Sequence, residues 1–160
     1  IYAAGSGQCL IYSPAGTQVQ SFDIPDGVTA MSVNDEILIA FRDRIERSDH
    51  SGRLIGRFDS AVLDETADET VSAVSYFTAI AQKPGVVFAA DAGHRLVFKY
   101  STDGQFLGKI GEKDPSRDIP GFVIPSPYFD LTVSADQELW VVNPGRHALE
   151  NYTDDGNIRG

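Results

Sequence analysis

Short apolar runs alternate along the whole chain with clusters of Gly, Asp, Asn and Ser, and no window carries the spacing of a long amphipathic helix. Four glycine-closed turns punctuate the pattern: Ser13-Pro14-Ala15-Gly16, Asp49-His50-Ser51-Gly52, Ser101-Thr102-Asp103-Gly104 and Thr153-Asp154-Asp155-Gly156, at intervals of 36, 52 and 52 residues. Each turn follows a similar pair of apolar segments. At an offset of 52, Val87-Phe88-Ala89-Ala90-Asp91-Ala92-Gly93-His94-Arg95 falls on Leu139-Trp140-Val141-Val142-Asn143-Pro144-Gly145-Arg146-His147, and Tyr100 falls on Tyr152. A second copy runs from Ile37 to Phe58 with a middle two residues shorter, and a first copy begins at Ile1-Tyr2-Ala3-Ala4 without an opening segment.

Each unit reads as strands a to d: an opening segment such as Phe129-Asp130-Leu131-Thr132-Val133, a strand around Trp140, a strand around Leu149 and a closing strand. Valine, isoleucine, tyrosine and phenylalanine dominate the runs, as hairpin-linked strands require. Asp103-Gly104 and Asp155-Gly156 are hairpin closures, because glycine reaches positive φ without a Cβ clash. Four-stranded units recurring every ~40 to 50 residues predict an all-β protein, a β-propeller whose units stack because one alone cannot bury its faces.

The segment from Phe88 to Leu107 resembles an NHL repeat: a strand ending in Asp91, a small-Gly turn at Ala92-Gly93, His94-Arg95, a β-strand, Asp103-Gly104 and another strand. The fourth copy departs from it with Asn143 and Arg146-His147; the first two keep only strand spacing and the glycine turn. With Ile119-Pro120-Gly121-Phe122-Val123-Ile124-Pro125-Ser126-Pro127-Tyr128-Phe129-Asp130, the chain resembles bacterial, planctomycete-type NHL-repeat proteins. The resemblance implies a six-bladed parent propeller. About three to four blades are present, so the expectation is one partial-propeller domain over 1–160, with units at about 1–24, 28–58, 76–111 and 128–160. It is read as a segment of a longer propeller, or as a chain that self-associates through open blade edges.

Thirteen basic against 23 acidic residues give a net charge of −10 and a pI near 4.5, which argues against nucleic acid as a partner. No run approaches the ~20 apolar residues of a membrane span, and membrane insertion is not expected. The lone Cys9 reads as a buried inert thiol. Localisation is open, with an extracytoplasmic site favoured only by the habit of the resembled family.

If strands alternate direction, the b-to-c turns and the d-to-a connections emerge at one end of the blades and the c-to-d turns at the other. The longest connections, Asp59 to Ser75 and Gly111 to Tyr128, belong to the first end. The second carries Pro115, Pro120, Pro125 and Pro127 and is expected to form a stiff wall over a central channel. The same end displays Asp91, His94, Arg95, Asn143, Arg146 and His147, the candidate ligand-face residues.

His94, His147 and Asp91 are the candidates for a divalent metal, although zinc catalysis normally takes three protein ligands plus water and His50 lies in a turn at the opposite end. Against a metal stands the architectural reading, in which no cofactor binds, Asp91 and Arg95 fix the turn and His94 packs between blades. Asp59, Asp64, Glu65, Asp68 and Glu69 lack EF-hand spacing and read as a solvated acidic loop. Trp140 and Phe88 share a repeat position and are expected to fill inter-blade seams. No nucleophile elbow, phosphate loop or dinucleotide fingerprint is present.

Two function classes follow. One is a noncatalytic propeller that binds a protein, a peptide or a small ligand. The other is a metal-dependent hydrolase or lyase of the gluconolactonase or peptide-amidating-lyase type, for which Asn34, Asp130 and Asp136 lie near opening strands.

Overall fold

The computed structural model describes residues 1–59, 74–126 and 128–159. The acidic residues 64, 65, 68 and 69 and the side chain of Asp59 lie outside the described residues, as does Pro127.

Four antiparallel sheets follow one another along the chain. The first holds β1 (Tyr2–Gly5), β2 (Gln8–Tyr12) and β3 (Gln18–Asp23); the second β4 (Ala30–Val33), β5 (Ile37–Ala40), β6 (Arg44–Ser48) and β7 (Leu54–Asp59). The third holds β8 (Phe77–Lys83), β9 (Val86–Asp91), β10 (Leu96–Ser101) and β11 (Phe106–Ile110). The fourth holds β12 (Leu131–Val133), β13 (Leu139–Asn143) and β14 (Ala148–Tyr152), followed by a single bridge between Tyr152 and Ile158. Among the described residues only the two middle sheets have the full four strands expected of a unit; the outer two have three.

Strand order within each sheet follows chain order, so every sheet is a meander closed by hairpins. The c-to-d hairpins share one irregularity. A register shift falls between Ile11 and Tyr12, between Arg47 and Ser48, and between Lys99 and Tyr100. Such a bulge increases local twist.

Alternation along the strands gives each sheet two apolar faces, and the cores are the seams between sheets. Leu38, Ala40, Ile45 and Phe58 of the second sheet pack with Phe77, Ile80, Val87, Ala89, Leu96, Phe98 and Tyr100 of the third. From the other face of the third sheet, Ala79, Ala81, Phe88, Ala90, Val97 and Ile110 pack with Leu131, Leu139, Val141, Tyr152 and the preceding Phe122 and Phe129. Ile37, Ile39 and Phe41 meet Tyr2 and Phe22 of the first sheet and Ile24 just beyond it. Full burial of one such side chain stabilises by about 1.5–3 kcal/mol, so the stack rather than any sheet alone holds the fold.

Phe77 N–H at the start of β8 donates to Arg42 O in the second sheet's b-to-c turn at 3.0 Å, and the Thr78 hydroxyl donates to Phe129 O just before β12, tying the inner strand of the third sheet to both neighbours. Near the outer edge, the turn glycines Gly52 and Gly104 lie against the rings of Phe22 and Phe58 of the preceding sheet.

One expectation is corrected. Phe88 is fully buried, but Trp140 is only half-buried. The two do hold equivalent places, opposite Lys99 and Asn151. Phe88 faces the fourth sheet, whereas Trp140 points to the far side of that sheet and is only partly covered there.

Candidate functional site

The b-to-c turns and the d-to-a connections share one end of the stack. There the Asp91 carboxylate is fully buried and organises the turn after β9. Its Oδ1 accepts from the backbone N–H groups of Tyr76 (2.9 Å), Gly93 (2.9 Å) and His94 (3.2 Å). Its Oδ2 accepts from the Ser75 hydroxyl (2.7 Å) and lies 2.8 Å from His94 Nδ1. The turn is thereby clamped to the connection that enters β8. Gly93 is required by this closeness: a Cβ there would stand 1.9 Å from Val74 O.

Asn143 repeats the clamp with different chemistry. Its Oδ1 accepts from Val123 N–H (3.0 Å), while its Nδ2 donates to Gly121 O (3.2 Å) and Glu150 Oε1 (3.1 Å). A carboxylate only accepts; the amide does both, which is what this position uses. Glu150 stands where the third sheet has Phe98. It is buried, accepts from Tyr152 Oη at 2.8 Å and has Arg146 Nε at 3.6 Å.

The remaining candidate residues are placed less centrally. Half-buried His94 stacks against Phe98 with ring centroids 5.6 Å apart, and among the described residues its Nε2 has no partner. Arg95 is exposed with φ at 58° and does not fix the turn by hydrogen bond or ion pair among the described residues; Asp91 does that alone. His147 takes the same left-handed conformation, φ 52°, and is exposed, as is Arg146.

Asp91, His94 and His147 do not converge: among the described residues no group of three His, Cys, Asp or Glu side chains could hold a metal ion. Both Asp91 oxygens already face protein donors, so this carboxylate does not fit a divalent cation. His50 is tied up elsewhere, with Tyr2 Oη at 2.9 Å from Nδ1 and Asn34 O at 3.1 Å from Nε2.

Beside the Asp91 clamp lies an open cleft of about 460 Å³, within the ~300–1,000 Å³ range of ligand sites. Arg42 and Asp43 come from the second sheet's b-to-c turn, Ser75 and Tyr76 from the connection into β8, and Pro125 and Ser126 from the connection into β12. The Arg42 guanidinium lies 4.3 Å over the Tyr76 ring. Sequence reasoning missed Arg42, Ser75 and Tyr76, because none belongs to the repeated turn motif. Glu150 did carry a signal, a charge at an aromatic repeat position.

The proline-rich connection does not act as one wall. Its first half turns at Pro115–Arg117, and Arg117 reaches Asn157 Oδ1 (2.7 Å) and Asp155 O (2.8 Å) in the c-to-d hairpin of the fourth sheet. Only the part from Gly121 to Ser126 meets the b-to-c turns. No helix among the described residues is long and apolar enough to cross a membrane.

No family model and no curated protein matches this chain. Solved structures do. A virginiamycin B lyase from Staphylococcus aureus, a catalytically inactive histidine-to-alanine variant with quinupristin, superposes with a TM-score of 0.64 at 14% identity, over 96% of this chain and 47% of that one. The Pan2 WD40 domain of Neurospora crassa gives 0.64 at 10% identity, over 96% and 43%, and BBS1N in complex with ARL6DN gives 0.64 at 15%, over 93% and 45%. The chain thus spans less than half the length of these structures. Together with four stacked antiparallel sheets, the likenesses identify the fold as part of a β-propeller.

Proposed function

We propose that this chain is part of an NHL-type propeller, folded as one domain over 1–160, that serves as a noncatalytic module binding a protein, peptide or small ligand. The ligand sits at the end of the sheets where b-to-c turns meet the inter-sheet connections. The observation that carries this reading is that the repeated polar side chains, Asp91 and Asn143, are consumed in clamping backbone, while what they build is an open cleft walled by three successive units. Exposed Arg95, Arg146 and His147 lie in the b-to-c turns at the same end of the sheets. BBS1N, a propeller relative solved with a protein partner, supports a protein ligand as one member of the class. The test is chemical-shift mapping with a fragment library: perturbations gathered on Arg42, Tyr76, Ala92 and Ser126 support the site, and perturbations scattered elsewhere remove it.

One observation favours a second reading, a lyase or hydrolase. His94 holds its Nδ1 on a buried carboxylate and leaves Nε2 unpartnered among the described residues, an arrangement suited to accepting a proton. The likeness to a lyase that a histidine-to-alanine change inactivates points the same way. Quinupristin is the probe: conversion followed by chromatography and lost in His94→Ala would support catalysis, and an unchanged substrate would count against it.

A further inference from the structure

Arg42 is the unmatched cation of the cleft. This acidic chain pairs most of its basic side chains: Arg44 with Glu46, Arg47 with Glu36, Lys83 with Asp154 and Arg159 with Glu138. Among the described residues the Arg42 guanidinium has no ion pair and no hydrogen bond, and what holds it is the Tyr76 ring, whose centre lies 4.3 Å from its carbon. Stacking offsets part of the charge but uses none of the five N–H donors. Arg95 and Lys113 also lack an ion partner among the described residues, yet neither borders the cleft.

The carboxylates nearby do not compete for Arg42. Asp43, in the same turn, lies 3.2 Å from Arg44 Nη1, and Asp91 is fully buried with both oxygens on protein donors. Much of the remaining wall is apolar: Val74, 78% exposed, with Ala92, Ile124 and Pro125. A lone cation with free donors beside apolar surface has a definite complement, one carboxylate next to an aliphatic group. The guanidinium fork matches a carboxylate through two parallel hydrogen bonds. A ligand with several negative charges is disfavoured by the net charge of −10.

We propose that the cleft takes an aliphatic monocarboxylate, its carboxylate on Arg42 and its alkyl group against Val74, Ile124 and Pro125. The C-terminal residue of a peptide ending in leucine and a free branched-chain acid share this chemistry. The assignment rests on the cleft being the ligand site proposed above.

Titrations followed through the amide shifts of Arg42, Tyr76, Ala92 and Ser126 test it. N-acetyl-leucine and 4-methylpentanoate should both move these amides, and the tighter of the two tells a peptide C-terminus from a free acid. N-acetyl-leucinamide, with the alkyl group but no charge, should bind about tenfold more weakly. Arg42→Gln should weaken both acids by a similar factor and leave the leucinamide unaffected, the rest of its spectrum showing an intact fold; Arg42→Lys, which keeps the charge and loses the fork, should fall between. Acid and amide binding equally well, acid binding untouched by Arg42→Gln, or acids silent where other fragments move these amides would each overturn the monocarboxylate and leave the cleft as a ligand site. Inorganic phosphate binding as tightly as the acids would overturn it too, reducing Arg42 to an unselective anion contact. A fragment library whose shifts avoid the cleft altogether removes the site itself.

Discussion

Gly104 lies directly on the ring of Phe58: a Cβ at Gly104 would stand 2.5 Å from Phe58 Cδ1. The turn of one sheet is thus seated on the outer strand of the sheet before it, and Gly104 also holds φ at 96°. Gly104→Ala should therefore destabilise by about 1–3 kcal/mol more than Gly16→Ala, which meets the same backbone strain but no neighbour. Denaturant midpoints of the two variants check it; equal losses would refute the seam contact.

Phe88 and Trp140 separate position from burial. Phe88→Ala empties a closed seam and should cost about 3–5 kcal/mol. Trp140→Ala, at a half-open flank, should cost clearly less. Urea unfolding of the two variants makes the comparison.

Removing the Asp91 carboxylate takes the acceptor away from the Tyr76, Gly93 and His94 N–H groups and ends the Ser75 hydroxyl's bond to it. Asp91→Ala should lose about 3 kcal/mol or more. Asp91→Asn, which keeps one acceptor, should lose less. Amide exchange at Tyr76 and Gly93 will rise first if the clamp is the cause.

The Ser51 hydroxyl, helped by backbone N–H groups of Arg53 and Ser51, holds the Asp49 carboxyl down at about 2, below its ordinary 3.8. A depressed folded value means that the stabilisation is present above the unfolded value and is lost as pH falls through about 2. The gap in unfolding midpoint between the native chain and Asp49→Asn should close over that acid interval. A constant gap would contradict the assignment.

Tyr152 behaves in the opposite sense. Burial, and then its hydrogen bond to Glu150, push its hydroxyl well above the ordinary tyrosine range. The folded chain cannot ionise it where the unfolded chain does, so this stabilisation is complete below about pH 10 and declines above it. Tyr152→Phe should flatten the alkaline decline of the unfolding midpoint.

Much of this fold is legible in the sequence because turns and strand alternation are local. The glycine closures, the order of strands within each unit and the equivalence of Phe88 with Trp140 all follow from near neighbours and a fixed offset. The shorter second unit is equally local: Phe41 and Arg44 flank a two-residue turn where Asp91 and Leu96 flank four. What the sequence hides depends on partners far along the chain. Ser75 and Tyr76 meet Asp91 only once the connection into β8 folds back, and Arg42 reaches Tyr76 across a seam. The half-open state of Trp140 likewise depends on what stands beside the fourth sheet.

The seams also differ in size. The cluster between the first and second sheets is built on buried Ile37, Ile39 and Phe41, and buried Cys9 and Ile11 lie on β2, whereas those flanking the third sheet bury Phe88, Phe98 and Tyr100 among many others. Each sheet leans on its neighbours alone, so a substitution that unseats the third sheet removes the packing partner of the second and of the fourth at once.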